Sequence, residues 1–596
     1  MIPKLSVLTL CILGFLTNSL IAVTHYVSKT GSNLPPYTSW ATAADSIQKA
    51  VDVSVSGDTV RVGSGVYAES LILSNGVYLI GSGIDSTTID GRGIAQYLIQ
   101  TSDTNWIEGF WIRVIGPGSV GILFGGFAAD SFVVIQNNKI TDAYQGVNGA
   151  WGTMVIRNNI LENNDYGVYC VIQSDVIIEN NYFENNTTGI FVGFNNSSVN
   201  SNVLTHSYLE GISGVSCSEF VAANNIVYGI EKNSLYAWGI VNEGLSGDKG
   251  TIINNTVVGT TGQGMGIEIL TDLTTGADSQ IVKNNIVTNF KVGIATSVRS
   301  WEDPEISYND LWNNAESLRI FDSPTGGLDS GNIFLDPMFV NDTSDFHLQF
   351  ASPCIDAGDP TILDPDSSRS DIGAYGGLLG EIYVYQDLAP DVPESLQASS
   401  ESTHILLTWK PNTESDLLGY VVYKDSFPGF PADSFHSIAV VPKDSSLYSD
   451  PNWTLNQTYY YRVAAFDTLN HLSSGSPEIM VMATDVKQIE EPRVGQLPTD
   501  YTLYQNYPNP FNPTTTIVYF LPNVGPQPAQ VDVLIYNVLG ERVRTLVNSK
   551  QAPGFYQVTW DGKDDDGIGV STGVYFCSLK IWGRLSTESK KLVLIK

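Results

Sequence analysis

Val176–Phe183 reads VIIENNYF, and the same phrase returns as VVIQNNKI from Val133, MVIRNNIL from Met154, FVAANNIV from Phe220, TIINNTVV from Thr251 and QIVKNNIV from Gln280. SSVNSNVL from Ser197 and EISYNDLW from Glu305 are weaker copies. The second Asn of each copy falls at Asn138, Asn159, Asn181, Asn202, Asn225, Asn255, Asn285 and Asn309, at successive gaps of 21, 22, 21, 23, 30, 30 and 24 residues. Short apolar runs between Gly and Asn turns at such a period mark a solenoid. A leucine-rich repeat has a similar period, but its Leu spacing and helical segment are missing.

A second marker keeps the same phase. A Gly followed by an aliphatic residue stands at Gly121, Gly146, Gly167, Gly189, Gly211, Gly239, Gly266 and Gly293. Each coil therefore holds one strand after the Gly, a second before the Asn pair and a short third after it. Stacked coils lie about 4.8 Å apart, so like residues sit above like residues. An inward Asn at each turn can hydrogen-bond the Asn above and below, which satisfies amides that could not otherwise be buried. These eight Asn residues are expected to be structural, not a metal or sugar site.

Composition sets outer limits. Of 596 residues, 62 are acidic and 30 basic, a net charge of −32, which argues against nucleic acid and anionic membranes as partners. Fifty-five glycines and almost no long amphipathic periodicity point to an all-β protein, and the length calls for more than one domain. Residues 1–22, with Lys4 ahead of an apolar run, read as a secretory signal peptide, and no other stretch approaches a membrane span, so the mature chain is expected to have none. Cys170, Cys217, Cys354 and Cys577 lack paired spacing and read as small buried hydrophobes.

The repeat resembles the right-handed parallel β-helix of the pectin-lyase-like superfamily. HYVSKTGSN, SIQKAVDVSVSGDTVRVGSGVY and STTIDG look like its N-terminal cap and first coils, with Ala50 and Val51 in a short helix that plugs the open core. DPMFVNDTSDFHLQFASPCIDAGDP and DIGAYGG look like its closing segment, so residues 23–385 are assigned to the β-helix. APDVPESLQASSESTHILLTWKP and QTYYYRVAAFDTLNHLS resemble a fibronectin type III domain over 390–486, with Trp409 in its core and Tyr459 as its tyrosine corner. Residues 487–499 read as a linker. YPNPFNP near Tyr507 and the terminal KKLVLIK resemble a type A sorting domain of the type IX secretion system over 500–596. The whole reads as an all-β chain, a right-handed parallel β-helix solenoid followed by two β-sandwich (Ig-like) domains. The resemblance implies secretion to the outer-membrane cell surface of a Gram-negative-type bacterium, with the type IX machinery as a partner of the C-terminal domain.

Carbohydrate-cleaving members of the superfamily work on the outside of the first strand of each coil. The residue after each aliphatic faces out, giving the row Asn148, Tyr169, Phe191, Ser213, Val241, Glu268 and Ala295, and a following row with Val215, Glu243 and Leu270. Tyr169 and Phe191 could stack on a sugar ring's C–H face. The interval from ladder Asn to Gly marker is 8 residues in most coils but 14 from Asn225 and 11 from Asn255. Insertions in a solenoid gather where it binds. They carry Glu231, Lys232, Tyr236 and Trp238 on one side and Asp248, Asp272 and Asp278 on the other, with Glu243 and Glu268 between. Tyr236 and Trp238 suit a sugar platform; Lys232, His206, Glu243 and Glu268 are candidates for acid–base chemistry. The Asp pairs with Gly-His-Gly and Arg-x-Lys partners of polygalacturonase-like members are absent, as is a Lys and Arg one coil apart beside calcium carboxylates. Arg299 and Lys291 flank one coil as solvated charges.

The expected partner is a polysaccharide or cell-surface glycan. Non-catalytic glycan binding, a polysaccharide lyase or glycoside hydrolase, and a structural surface spacer remain the competing functions. No resident metal is assigned. Calcium is the single cofactor considered, because an acidic groove repels uronates unless a cation bridges them. DGKDDDG from Asp561 hints at a calcium loop, but Thr572 stands where a Glu ligand belongs, and a polar hairpin turn is the simpler reading.

Overall fold

The computed structural model describes residues 22–595 apart from 94–95, 126–130, 173, 231, 233, 245–247, 272–278, 299–302, 322–326, 402, 484–486, 490–499, 523–527 and 583–587. Glu231, Asp272, Asp278 and Arg299 therefore lie outside the described residues, as do residues 1–21 of the expected signal peptide. The chain divides into two units, Met1–Asp387 and Leu388–Lys596.

The first unit is a parallel β-solenoid. Among the described residues its strands stack into three parallel sheets of 12, 11 and 10 strands, and each coil adds one strand to each sheet. The short helix Ile47–Val53 buries Ile47, Ala50 and Val51 at the N-terminal end, where the first coils would otherwise expose their interior. Ile122, Val147, Val168, Ile190, Ile212, Ile240, Ile267 and Ile294 pair in register strand after strand and are fully buried, a continuous aliphatic column. Burying each such side chain stabilises the fold by about 1.5–3 kcal/mol. The glycine before each aliphatic also faces inward. A Cβ at Gly211 would lie 2.5 Å from the Gly239 carbonyl and 2.5 Å from the Val227 side chain.

The two Asn of each phrase do different work. The first takes a left-handed backbone to turn the corner, with φ of 54° at Asn137, 54° at Asn158, 57° at Asn180, 53° at Asn224, 50° at Asn254 and 54° at Asn284. Asn tolerates that region better than most residues because its short amide bonds locally. The second Asn points inward, and its Oδ1 accepts from both the backbone N–H and the amide of the Asn one coil earlier. These contacts run at 2.9–3.2 Å from Asn138 to Asn309, and one rung further, to Asn332. Each amide also donates to a carbonyl of a preceding coil, and most donate to one of their own coil as well, as Asn181 does to Ile156 O at 2.9 Å and Glu179 O at 3.1 Å. A shorter ladder, Asn164 onto Asn186, occupies the next corner.

The first and third residues after the Asn pair face away from the solenoid interior, and in later coils several of them are apolar and covered. Ile226, Val258 and Ile286 pack against Phe339, Phe346, Leu348, Cys354 and Ile372 of the closing segment. That segment is tied down by the corner asparagines. Asn224 donates to Ala374 O and Gly376 O, Asn254 to Asp371 O and Gly373 O, and Asn284 Oδ1 accepts from Asp359 N–H at 2.7 Å.

Among the described residues the paired strands of the second unit are all antiparallel, with one isolated parallel bridge between Phe511 and Leu594. Sheets Gln397–Ser400/Ile405–Thr408/Leu447–Asp450 and Ser437–Pro442/Leu417–Asp425/Thr458–Asp467/Ile479–Met482 enclose Trp409, Tyr420, Tyr461, Val463 and Ala465. The Tyr459 hydroxyl accepts from Thr454 N–H at 3.0 Å, the geometry of a tyrosine corner. Two further four-stranded sheets, one built around Thr515–Leu521 and the other around Ala529–Tyr536, enclose Trp560 and Tyr519. Lys487–Ile489, inside the stretch read as a linker, runs as a strand beside Gly554–Trp560 and so extends the last sandwich toward the N-terminus. In the Asp561 loop, Asp564 Oδ1 accepts from Asp566 and Ile568 N–H, and Asp561 Oδ1 from Lys563 N–H, which are the bonds of a hairpin turn.

Candidate functional site

The outward face of the 11-stranded sheet gathers most of the candidate residues. Tyr169, Phe191, Ser213, Val241, Glu268 and Ala295 are register partners on successive strands, forming a single row. Val215, Glu243 and Leu270 form the row beside it. A third row lies ahead of the Gly markers: Tyr166, Thr188, Glu210, Trp238, Met265 and Val292. Trp238, read from the sequence as part of an insertion, is the first residue of strand Trp238–Gly244 and pairs with Glu210 and Met265.

At the N-terminal side of this face the rows are aromatic. The Tyr169 and Phe191 rings stack with centroids 5.0 Å apart and planes within 9°. Tyr166 meets Tyr169 edge-on at 5.2 Å, and Tyr144 extends the group at 5.8 Å from Tyr166. Parallel registry dictates this arrangement, since a side chain on one strand stands one strand spacing from its partner on the next.

Two to four coils further on, the same rows become acidic. Glu268 is only 4% exposed, although it points away from the solenoid interior. It is covered because the 14-residue interval after Asn225 lays Leu235 and Trp238 over Met265, Val292 and Ala295, a small apolar cluster on the outside of the sheet. Burial pushes the Glu268 carboxyl up to about 7, with the Trp238 indole opposing and the Glu243 charge adding to the rise. Burial and then the Glu243 charge also raise Glu210, against Ser213 and the Lys232 ammonium, which lower it. Glu243 is the most exposed of the three and is likewise raised by burial. The Glu243 charge thus disfavours ionisation of both Glu268 and Glu210, on top of their burial. The buried Trp238 indole N–H acts on the Glu268 carboxyl but completes no well-aligned hydrogen bond among the described residues, so a bound hydroxyl could compete for this donor. Tyr236 stands 66% exposed at the rim, tilted against Trp238 at 6.4 Å.

Not every candidate joins this face. His206 has a left-handed backbone, lies exposed at a different corner and meets the Tyr228 ring edge-on at 5.7 Å; it is not brought to the carboxyls. Glu210, Tyr144 and Tyr166 belong to the face and were missed in the sequence. For Glu210 and Tyr166 the missing signal was that the Gly marker itself faces inward, which puts the residue immediately before it on the outside.

Residues 129–326 match the family model of the periplasmic copper-binding protein NosD, and residues 522–583 match that of the FlgD Ig-like domain. The first match spans most coils of the solenoid. No curated protein matches the chain. Among solved structures, the spore cortex lytic enzyme SleM of Clostridium perfringens is similar at 18% identity over 16% of this chain and 28% of that one, with a TM-score of 0.14. The FN1–FN3 domains of chicken CNTN1 are similar at 12% identity over 39% and 76%, with a TM-score of 0.15. Dimeric latent PorU from Porphyromonas gingivalis is similar at 16% identity over 35% and 20%, with a TM-score of 0.14. The chain thus spans under a third of SleM, and these TM-scores do not define a shared fold.

Proposed function

We propose that this is an extracytoplasmic β-solenoid protein that binds a polysaccharide or cell-surface glycan along the outward face of its 11-stranded sheet. One observation carries the reading: the parallel Tyr169 and Phe191 rings lie in the same register row as Glu268, so an aromatic platform leads onto a carboxyl cluster. A sugar's C–H face stacks on such rings while its hydroxyls bond to carboxyls and the Trp238 indole N–H. Glu268, with a carboxyl pushed up to about 7 beside the more exposed Glu243, also favours a second reading, acid–base cleavage of the bound chain. A glycan array followed by a reducing-end release assay on the full chain tests both. Binding without release supports the first reading, release abolished by Glu268→Gln supports the second, and absence of any glycan ligand contradicts both.

The family matched by residues 129–326 is named for copper, so the soft donors in that region bear on whether the metal fits. Cys170 Sγ lies 3.9 Å from Met154 Sδ in the sealed core, and burial pushes the thiol up to about 12. Cys217 donates to Asn195 Oδ1 at 3.3 Å, with its thiol pushed up to about 11. His206 stands apart from both, against Tyr228. Among the described residues, thiols held protonated and scattered in this way do not form a copper site, and no copper role is assigned. For export, the YPNPFNP and KKLVLIK phrases support a type IX sorting role for residues 500–596, with the fibronectin type III-like sandwich as a spacer and the outer-membrane surface as destination.

A further inference from the structure

A cavity of about 750 Å³ lies at another corner of the solenoid, where the third strand of a coil turns into the first strand of the next. Its walls come from the turns after strands Thr256–Val258 and Ile286–Thr288 and from the hairpin between Phe339–Asn341 and Asp345–Leu348. The lengthened interval from Asn255 to Gly266 builds one wall, with Gly262 and Gly264 at φ of 64° and 74° opening the turn. Tyr228 and Phe290 supply aromatic surface, and Thr260, Thr261, Asn289 and Asn313 supply polar groups. Among the described residues no Lys, Arg or His lines it, and Asp342 is the single carboxylate.

The polar groups have a defined sense. Asn313 Nδ2 donates to Asn289 Oδ1 at 2.7 Å. The other half of the pair offers a donor at Asn289 Nδ2 and an acceptor at Asn313 Oδ1. A donor and an acceptor on one wall suit sugar hydroxyls, each of which can give and take a hydrogen bond. The Tyr228 ring is braced by Phe346 at 5.4 Å and by the edge of His206 at 5.7 Å, so it is a rigid surface on which a C–H face can rest. The volume lies inside the range of about 300–1,000 Å³ usual for small-molecule sites. A chain of net charge −32 with no cation in this wall will repel uronate and sulfated sugars.

We infer that this corner is a second carbohydrate site, for a short run of uncharged pyranose units, separate from the acidic face. It does not depend on that face binding any glycan. It also gives His206 a place: a brace for the Tyr228 platform rather than a proton donor at the carboxyls.

The test uses the full chain and the uncharged trisaccharides maltotriose, cellotriose and mannotriose, with trigalacturonate as the charged comparison, read by saturation-transfer NMR and calorimetry. At least one uncharged trisaccharide should bind. The double variant Asn289→Gly/Asn313→Gly keeps the left-handed turns that glycine adopts freely but removes both amides, and it should weaken that binding at least ten-fold. Thr261→Arg places a long side chain from an exposed turn into the cavity and should abolish it without touching a buried residue. Trp238→Ala and Glu268→Gln should leave it within two-fold. Failure of all three uncharged sugars to bind, binding unaffected by Thr261→Arg, or trigalacturonate competing equally for the site would each overturn the inference.

Discussion

Replacing Asn181 by Leu tests the interior ladder, because the structure states which groups would be orphaned. Asn181 Oδ1 accepts from Asn159 N–H and Asn159 Nδ2, each at 3.0 Å, and Asn181 Nδ2 donates to Ile156 O, Glu179 O and Asn202 Oδ1. Asn159 Nδ2 keeps its bonds to Ile135 O and Arg157 O, and Asn202 Oδ1 keeps the Asn181 backbone N–H. The group left with nothing is the buried Asn159 N–H. An unsatisfied buried donor costs about 1–3 kcal/mol, and loss of the amide's own bonds adds about 0.5–1.5 kcal/mol, so the coil should lose about 2–4 kcal/mol. At about 1.4 kcal/mol per ten-fold, amides in the neighbouring coils should exchange roughly 30- to 700-fold faster by hydrogen-exchange mass spectrometry. Coupling in a solenoid runs between neighbours, so the effect should fade within two or three coils. Exchange unchanged around Met154–Thr205, or accelerated equally at both ends of the solenoid, would refute the ladder as the source of that stability. Asn180→Gly is the control. It keeps the left-handed turn, its amide is exposed, and it should change exchange little.

Other outcomes follow from the same geometry. Glu268 has a folded-state carboxyl raised from 4.5 to about 7, so the folded state holds that proton more tightly; the stability it contributes is full below about pH 4.5 and lost as pH rises through 7. Glu268→Gln should therefore gain up to about 3 kcal/mol over wild type between pH 5 and pH 8, read as diverging urea midpoints, and parallel midpoints would count against the buried carboxyl. Asn254→Gly keeps its corner but releases Asp371 O and Gly373 O, so limited proteolysis should cut within the closing segment 358–377 faster, while equal cutting rates would contradict the clamp. Trp238→Ala should weaken glycan binding about ten-fold if about 1.4 kcal/mol of stacking and hydrogen bonding is lost, as calorimetry would show. A chain lacking residues 500–596 should fold yet stay inside a type IX-secreting host, and normal surface delivery of that truncation would remove the sorting role.

The solenoid was legible because its period is written twice, once in the Asn pairs and once in the Gly markers, and both are backbone requirements that few other residues meet. The row containing Tyr169, Phe191 and Glu268 followed from simple alternation and is the row in the structure. What alternation could not supply was burial. Glu268 points outward yet is covered where Leu235 and Trp238 pack back over Met265, Val292 and Ala295, and loop placement depends on contacts no periodicity encodes. The corner role of Asn224, Asn254 and Asn284 was hidden for a related reason. Their partners lie about 75 to 150 residues away in the closing segment, beyond any local pattern. His206 was grouped with the carboxyls by nearness in sequence, but the left-handed turn at its own backbone sends it to another corner.

If glycan lies along one sheet face, a hydrogen-exchange footprint of the full chain with the glycan selected on the array will show it. Protection is predicted on strands Tyr166–Val171, Thr188–Gly193, Glu210–Val215, Trp238–Gly244 and Met265–Thr271, with the 12-stranded sheet unchanged. Protection confined to the second unit or to the 12-stranded sheet would contradict it.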